Sequence, residues 1–498
     1  AGDESASKLK FKVKRIAITK SAVLPADRLR PLIARVEGQE VVLEDLNRLV
    51  RDITQLYQDV RFPVGFAILP PQEVKNGVVQ IVLIEPRVDD VGVQSSYTDP
   101  DFIRDRIPLK AGALVDVHAL EEALFILSRT TVSGIQVAAR LVPGKDFATT
   151  KIVLDVIEPP RHSVFNITDN HGTEENGEIR NQTIYRNTSL LGRDDPLSLG
   201  VSFSKGSKST FGFYDAPIGI AGTRMELQYS LSESRIVAGS FEDLDLESDG
   251  QFAAAEIRHP FHISRDWMHF GLIETAFSHG RTVTGPLEVG TAVGRLALGS
   301  RLFKFDDDGS IELTNKLAFI RSRAYDNIGV EWDSFIKYTG DLRAVRRIGP
   351  VTLIGDAAWQ LSPNELLPSA EQFAFGGVST ARAYEINQFN GDEGYWARLE
   401  AHGPGLSFSD VFEQNPLGGH INVFAFAETG GAFPFRSVGP SIRREDFASD
   451  IGLGIDLSLL NGKLNSRAMV AKALDEIHDP LITNDPKFLF DTTLNINF

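Results

Sequence analysis

Apolar and polar residues alternate with a period of two along most of this chain, and two stretches near its start change to a helical period. FKVKRIAITK alternates and predicts a strand. Leu29, Leu32, Ile33 and Val36 then recur on one helix face, as do Leu46, Leu49, Val50, Ile53, Leu56, Tyr57 and Val60. FAILPPQEVKNGVVQIVLIEPRV predicts a strand, a turn at Asn76-Gly77 and a second strand. The order β-α-α-β-β repeats at once. VGVQ is a short strand, PDFIRDRIPL and VDVHALEEALFILSRT are helical, and GIQVAARLVPGKDFATTKIVLDVIE is a hairpin around Pro143-Gly144. Two modules of about 75 residues are therefore expected, over 11–88 and 89–159, each large enough for a small domain. Residues 1–10 form a tail, and Pro159-Pro160 closes the second module.

From 160 to 498 no helical period persists. Sixteen strand-like segments follow one another with turn residues between them, among them EIRNQTIYRN, TRMELQYSLS, AVGRLALGSRLF and INVFAFAETG. Charge alternates with apolar side chains. In YWARLEAH, Tyr395, Ala397, Leu399 and Ala401 oppose Arg398, Glu400 and His402; in FIKYTGDLRA, Ile336, Tyr338 and Leu342 oppose Lys337, Asp341 and Arg343. Period two alone fits either a soluble sandwich or a membrane barrel. An even number of long strands with no helices to cover a sheet favours closure, because an open sheet in lipid leaves unsatisfied edges. The expected fold is two α+β modules followed by an all-β transmembrane barrel of sixteen antiparallel strands, its apolar side chains outward and its lumen charged.

Composition agrees. The 498 residues include no cysteine, which suits an oxidising, extracytoplasmic compartment. A formal net charge of −16 argues against a nucleic-acid partner. No run of about 18 apolar residues predicts a membrane helix, whereas 43 glycines and 32 phenylalanines fit a barrel. The opening AGDESASK lacks an apolar core, so the expectation is a mature form without a signal peptide. The last strand, KFLFDTTLNINF, places Phe488, Phe490, Leu494, Ile496 and Phe498 on one face and ends on an aromatic residue, as an outer-membrane assembly signal does.

Three stretches carry a family resemblance. ILPPQEVKNGVVQIVLIE (Ile68 to Glu85) resembles the end of the first POTRA domain of the TpsB transporters of two-partner secretion, a branch of the Omp85 superfamily of the haemolysin-activator and filamentous-haemagglutinin-transporter type. NTSLLGRDDPLSLGVSFS (Asn187 to Ser204) resembles an early barrel hairpin of that family. FGGVSTARAYEINQFNGDEGYWARLE resembles its sixth extracellular loop, which folds back into the lumen, here near 373–392. The resemblance covers nearly the whole chain. It implies that the two modules are periplasmic POTRA domains, and that Ala381, Arg382, Ala383 and Tyr384, after Gly376 and Gly377, hold the places of the family's Val-Arg-Gly-Tyr tetrad. It also implies that Arg382 reaches an acid on the inner barrel wall; FAETG supplies Glu428 where the family has aspartate. By parity Asn422, Phe424, Phe426 and Glu428 face inward. A guanidinium in a crowded lumen needs such a partner, and a bidentate pair is expected. Ala383 in place of glycine removes freedom for φ > 0, which predicts a different turn at the tip. The family's pore-plugging N-terminal helix is expected to be absent or truncated.

The function so implied is secretion of one large unfolded TpsA exoprotein through the lumen. The exoprotein would add a strand to an exposed POTRA edge at Ile135–Leu141, with Ile135, Val137, Ala139 and Leu141 on one side of it. Arg398, Glu400, Lys337, Asp341 and Arg343 are expected to line the lumen, and Phe498 to signal assembly. Leu46, Ile53 and Tyr57 could line a helix groove but read first as core. The periplasm holds no ATP, so folding of the partner outside would supply direction. Outer-membrane lipids and the barrel assembly machinery are the other expected partners of a monomeric pore. Two alternatives remain: an Omp85-type insertase, which usually carries three or more POTRA modules, and a passive porin, which carries none. No catalytic triad, P-loop or HxxxH spacing is present, so neither enzyme activity, cofactor nor metal is expected. FDDDGS (Phe305–Ser310) reads as a hairpin turn rather than a calcium loop. The basic run Arg343–Arg347 reads equally as lumen lining or as a periplasmic rim.

Overall fold

A computed structural model describes residues 10–363, 366–408, 418–433, 447–475 and 485–498. The chain divides into two compact units, one through Glu158 and one from Pro159.

The first unit holds two modules of the same design. In the first, β1 (Phe11–Lys12), β2 (Arg15–Ile18), α1 (Ala26–Ala34), β3 (Glu40–Val41), α2 (Leu43–Asp59), β4 (Phe66–Ile68) and β5 (Val78–Ile84) follow in order. β5 is central, with β2 parallel on one side and β4 antiparallel on the other. In the second, β6 (Arg87–Gln94), α3 (Pro100–Arg104), α4 (Val117–Thr130), β7 (Gln136–Pro143) and β8 (Thr149–Ile157) repeat the design, with β8 central, β6 parallel to it and β7 antiparallel. Leu46, Ile53 and Tyr57 lie in the first core, with Val79 and Ile81 beneath them. The core reading of these helix residues therefore stands, and they offer no open groove. FKVKRIAITK is not one strand: Lys14 and Arg15 both donate their N–H to the carbonyl of Gly77, and the break separates β1 from β2. The helix expected over PDFIRDRIPL stops after Arg104, since Pro108 keeps Ile107 from helical geometry.

The repeat extends to a carboxylate at the end of each module. Glu85 accepts the hydroxyls of Ser21 and Tyr57 and the N–H of Ala22, the last at 2.9 Å. Glu158 accepts the N–H groups of Ser96 at 2.6 Å and Tyr97 at 3.0 Å, together with that of Thr98. Each acid ties the end of the module's central strand to the turn that follows the strand parallel to it, β2 or β6. Burial pushes both carboxyls up, but the donors outweigh it and hold both below the usual carboxylate range.

The second unit is a barrel. Its strands are β9 (His162–Asp169), β10 (Arg180–Asn187), β11 (Leu197–Phe203), β12 (Ser207–Ile218), β13 (Thr223–Arg235), β14 (Glu247–Ile263), β15 (Trp267–Thr284), β16 (Leu287–Asp306), β17 (Gly309–Asp326), β18 (Val330–Ile348) and β19 (Val351–Leu361). The short hairpin β20 (Phe373–Phe375) and β21 (Phe389–Gly391) follows, then β22 (Glu393–His402), β23 (Leu406–Ser407), β24 (His420–Phe433), β25 (Phe447–Leu459), β26 (Leu464–Ala473) and β27 (Lys487–Asn497). β9 to β19, β22 and β24 to β27 make sixteen antiparallel staves, and β27 closes on β9; β23 adds two residues at the foot of β24. Phe498 finishes the seam. It exchanges backbone hydrogen bonds with His162 at 3.0 and 3.1 Å, and their rings stack.

The faces alternate in the membrane sense. Leu298, Leu317, Leu399, Leu453 and Phe488 are large, apolar and exposed, while their neighbours Ala297, Ala318, Glu400, Gly452 and Leu489 turn inward and are more buried. The turn in GRDDP holds the foot of β10 and β11. Asp194 is fully buried and takes both terminal nitrogens of Arg224, one on its carboxylate and one on its carbonyl, each at 2.6 Å. The FDDDGS segment is the β16–β17 turn, with Asp306 accepting the N–H of Asp308 at 2.9 Å.

Candidate functional site in the barrel lumen

The loop between β19 and β22 is the sixth on its side of the barrel, and it folds into the lumen. Its hairpin has a core of its own: Phe375 stacks on Phe389 at 4.6 Å, and the Tyr384 ring meets Phe389 edge-on. Gly376 and Gly377 make the hairpin possible. Their φ values are +118° and +87°, and a Cβ at 376 would lie 2.3 Å from the carbonyl oxygen of Glu385. Gly376 donates to the hydroxyl of Thr380, and Gly377 to the carbonyl of Ala381, which sets the turn that presents Arg382.

Arg382 is buried to 3 % exposure among carboxylates from three strands. Asp356, Arg398, Glu428 and Asp450 lie side by side on β19, β22, β24 and β25. Glu428 and Asp450 are adjacent like charges, which is unfavourable unless donors are supplied. The loop supplies them. The Arg382 N–H reaches Glu428 at 2.7 Å, the Ala383 N–H reaches Asp450 at 3.0 Å, and the guanidinium lies between Glu400 at 2.5 Å and Glu428 at 3.4 Å. Its carbon stands 4.4 Å above the Phe426 ring. Tyr384 adds a bond from its hydroxyl to the carbonyl of Ser449 at 3.0 Å.

Two expectations are corrected here. Arg382 does not make a bidentate pair with Glu428. Glu428 takes the backbone N–H and one longer ion pair, and Glu400 holds the guanidinium more closely. The extra methylene of glutamate over aspartate lets Glu428 reach the backbone. Nor does Ala383 force an unusual turn, since its φ is not positive and its N–H is what Asp450 binds.

The other residues singled out from the sequence fall as follows. Arg398 faces inward and donates to the carbonyl of Ser379 at 3.2 Å, so it supports the loop from below. Asp341 lines a lumenal cavity of about 510 Å³ with Lys316 and Arg295. Arg343 pairs with Asp356 at 3.0 Å. Lys337 belongs to a second attachment that sequence reasoning missed. There Glu371, 3 % exposed, sits between Lys337 at 2.8 Å and Arg295 at 3.1 Å, and Gln360 binds its carbonyl. Leu367 fills an apolar patch on the wall made by Val293, Ile320 and Phe335, and Asp392 accepts the N–H groups of Leu366 and Leu367. Nothing in SAEQF or NGDEG separates these buried acids from solvated ones.

In the first unit, β7 is an edge strand, pairing with β8 alone among the described residues. Ile135 is 5 % exposed and belongs to the core, so it cannot meet a cargo, which corrects its place in the expected binding edge. Val137 and Ala139 pack against that core, and Leu141 is exposed. Among the described residues no cluster of His, Cys, Asp and Glu could hold a metal ion.

Residues 11–86 match the ShlB-type POTRA domain family. Over 481 residues the chain is 21 % identical to the heme/hemopexin transporter protein HuxB of Haemophilus influenzae, covering 89 % of this chain and 82 % of that one. With a lumenal loop six in a sixteen-strand barrel, these likenesses support a transporter of the TpsB type in the Omp85 superfamily. The outer membrane transporter CdiB-2 of Burkholderia pseudomallei is 25 % identical over 205 residues, which is 41 % of this chain and 34 % of that one. The structure of CdiB from Escherichia coli has the same fold, with a TM-score of 0.64 at 16 % identity, covering 100 % of this chain and 92 % of CdiB. BamA from Haemophilus ducreyi lacking POTRA domains 1–3 shares it more distantly, with a TM-score of 0.56 at 13 % identity and coverage of 98 % and 100 %. This chain is an outer-membrane protein with its POTRA modules in the periplasm.

Proposed function

We infer that this chain secretes one unfolded exoprotein of the TpsA class through its lumen. The observation that carries the reading is the seat of loop six, a folded hairpin that occupies the lumen and is held there by noncovalent contacts alone. A covalent or strand-paired plug would be part of the wall. This one is seated at its tip by a guanidinium, two backbone N–H groups, a phenol and apolar packing, and at its base by Glu371 and Leu367, so it can leave while all sixteen staves keep their ladders. Displacement would uncover an inner wall that carries Glu400, Glu428, Asp450 and Arg398 beside Phe424 and Phe426, a mixed surface over which an extended chain can pass.

Capture would take place at β7. Its outer edge offers unpaired backbone groups, so the cargo can add a strand, with Leu141 the side chain exposed beside it. The work is done by a monomeric pore, with the barrel assembly machinery needed only for its own insertion. No step needs a catalytic group or a cofactor. HuxB is named for heme/hemopexin transport, and the CdiB proteins are outer-membrane transporters, which supports a large exoprotein as the client. The test is a two-gene secretion assay with a neighbouring large exoprotein, scored outside intact cells. A chain lacking residues 10–158 should still insert and should lose export. Unchanged export by it would overturn the reading.

A further inference from the structure

The lipid-facing wall of β15 to β18 carries a groove that the secretion pathway does not use. β15 runs from Trp267 toward the outer surface, and about ten residues, enough for one tilted crossing, bring it to Phe277. In the row just below that level Leu296, Phe319 and Ile336 are aligned in register across three strands, beside Thr275 of β15. At that level the next row reads Phe277, Gly294, Arg321 and Ser334, and the row above it His279, Ala292, Arg323 and Trp332. Gly294 and Ala292 leave a trough, and a Cβ at 294 would meet nothing closer than 4.0 Å. The trough opens into a groove of about 790 Å³ with apolar walls and Arg321 at its outer end.

The two arginines have no carboxylate partner among the described residues, in a chain of net charge −16. They lean instead on an aromatic. Arg321 lies 5.2 Å and Arg323 5.8 Å from the Trp332 ring, which holds both guanidiniums on the outer wall. Two unneutralised guanidiniums at headgroup height above an apolar trough complement an anionic head on an acyl chain. Phosphate matches the planar donor fork best.

We propose that this groove binds the phosphorylated, multiply acylated glycolipid of the outer leaflet, with one acyl chain over Gly294 and a phosphate between Arg321 and Arg323. The site is separate from loop six and does not depend on the secretion reading.

The test titrates the purified full chain in detergent with bis-phosphorylated lipid A, with dephosphorylated lipid A and with phosphatidylglycerol, and reads bound lipid by native mass spectrometry. Phosphorylated lipid A should bind one to one. Removal of its phosphates, or the pair Arg321→Gln with Arg323→Gln, should weaken binding about tenfold, as expected for charge-assisted bonds. Gly294→Phe should weaken it with both charges in place. Heat-modifiable migration confirms a closed barrel in each variant. Equal binding of the two lipid A forms by the unaltered chain overturns the proposal whatever the variants do. So does phosphatidylglycerol binding as tightly, or closed-barrel variants that bind like the parent.

Discussion

Loop six is fastened at two places, and the two are built differently. The tip, Arg382 to Tyr384, brings one cation to a wall of acids and adds backbone donors to carboxylates that would otherwise repel. The base, Leu367 to Glu371, brings one acid to two wall cations and drives a leucine into an apolar patch. Signs are reversed. Both also bury apolar surface: Ala381, Ala383 and Tyr384 pack on the wall at the tip, and Leu367 does so at the base. The reversed signs mean that each attachment can be weakened by a different substitution.

The largest effect should come from the tip. Arg382→Ala leaves buried carboxylates with less compensating charge, a loss of about 3–5 kcal/mol for a broken buried pair. Planar-bilayer recordings should show open events becoming frequent while the barrel stays heat-modifiable. Glu371→Gln should come next. It leaves Arg295 and Lys337 without their shared acid, so exchange at the 366–371 amides should accelerate while the tip stays protected. If loss of the base acid also frees the tip, the two attachments act as one unit, and the double variant will fall short of additivity. Gly376→Ala should cost about 1–3 kcal/mol through strain at a positive φ, read as partial tip release.

The smallest effect tests a contrast with the other unit. Glu85 has its folded pKa depressed, so its contribution is present above the ordinary carboxylate range and is lost as pH falls through the folded value. Protection of the 21–23 amides, corrected for intrinsic exchange, should therefore drop on acidification. Glu85→Gln should abolish that drop.

Periodicity made most of the fold readable. Both modules repeat one order of elements, and barrel strands such as β22 display charge on one face and apolar residues on the other. Arg382 was readable because the glycine pair and the aromatic around it form a family motif. Its geometry was not, because Glu400 and Asp450 come from strands whose register no local pattern fixes. Glu371 left no signal at all. Arg295 and Lys337 stand 76 and 34 residues from it, and only barrel closure brings them together. The strand break after Lys12 and the early end of α3 were missed for a similar reason: one follows from a carbonyl at Gly77, the other from a proline beyond the helical turn.

The central claim is that the tip of loop six must leave its seat for export. The chain has no cysteine, so Glu385→Cys and Lys487→Cys form a unique pair at a contact where the native side chains meet at 2.8 Å. A short cleavable thiol cross-linker would pin the tip to β27 in intact cells. Export should stop on cross-linking and return on reduction, with barrel levels constant. Export that continues with the tip pinned would contradict the account.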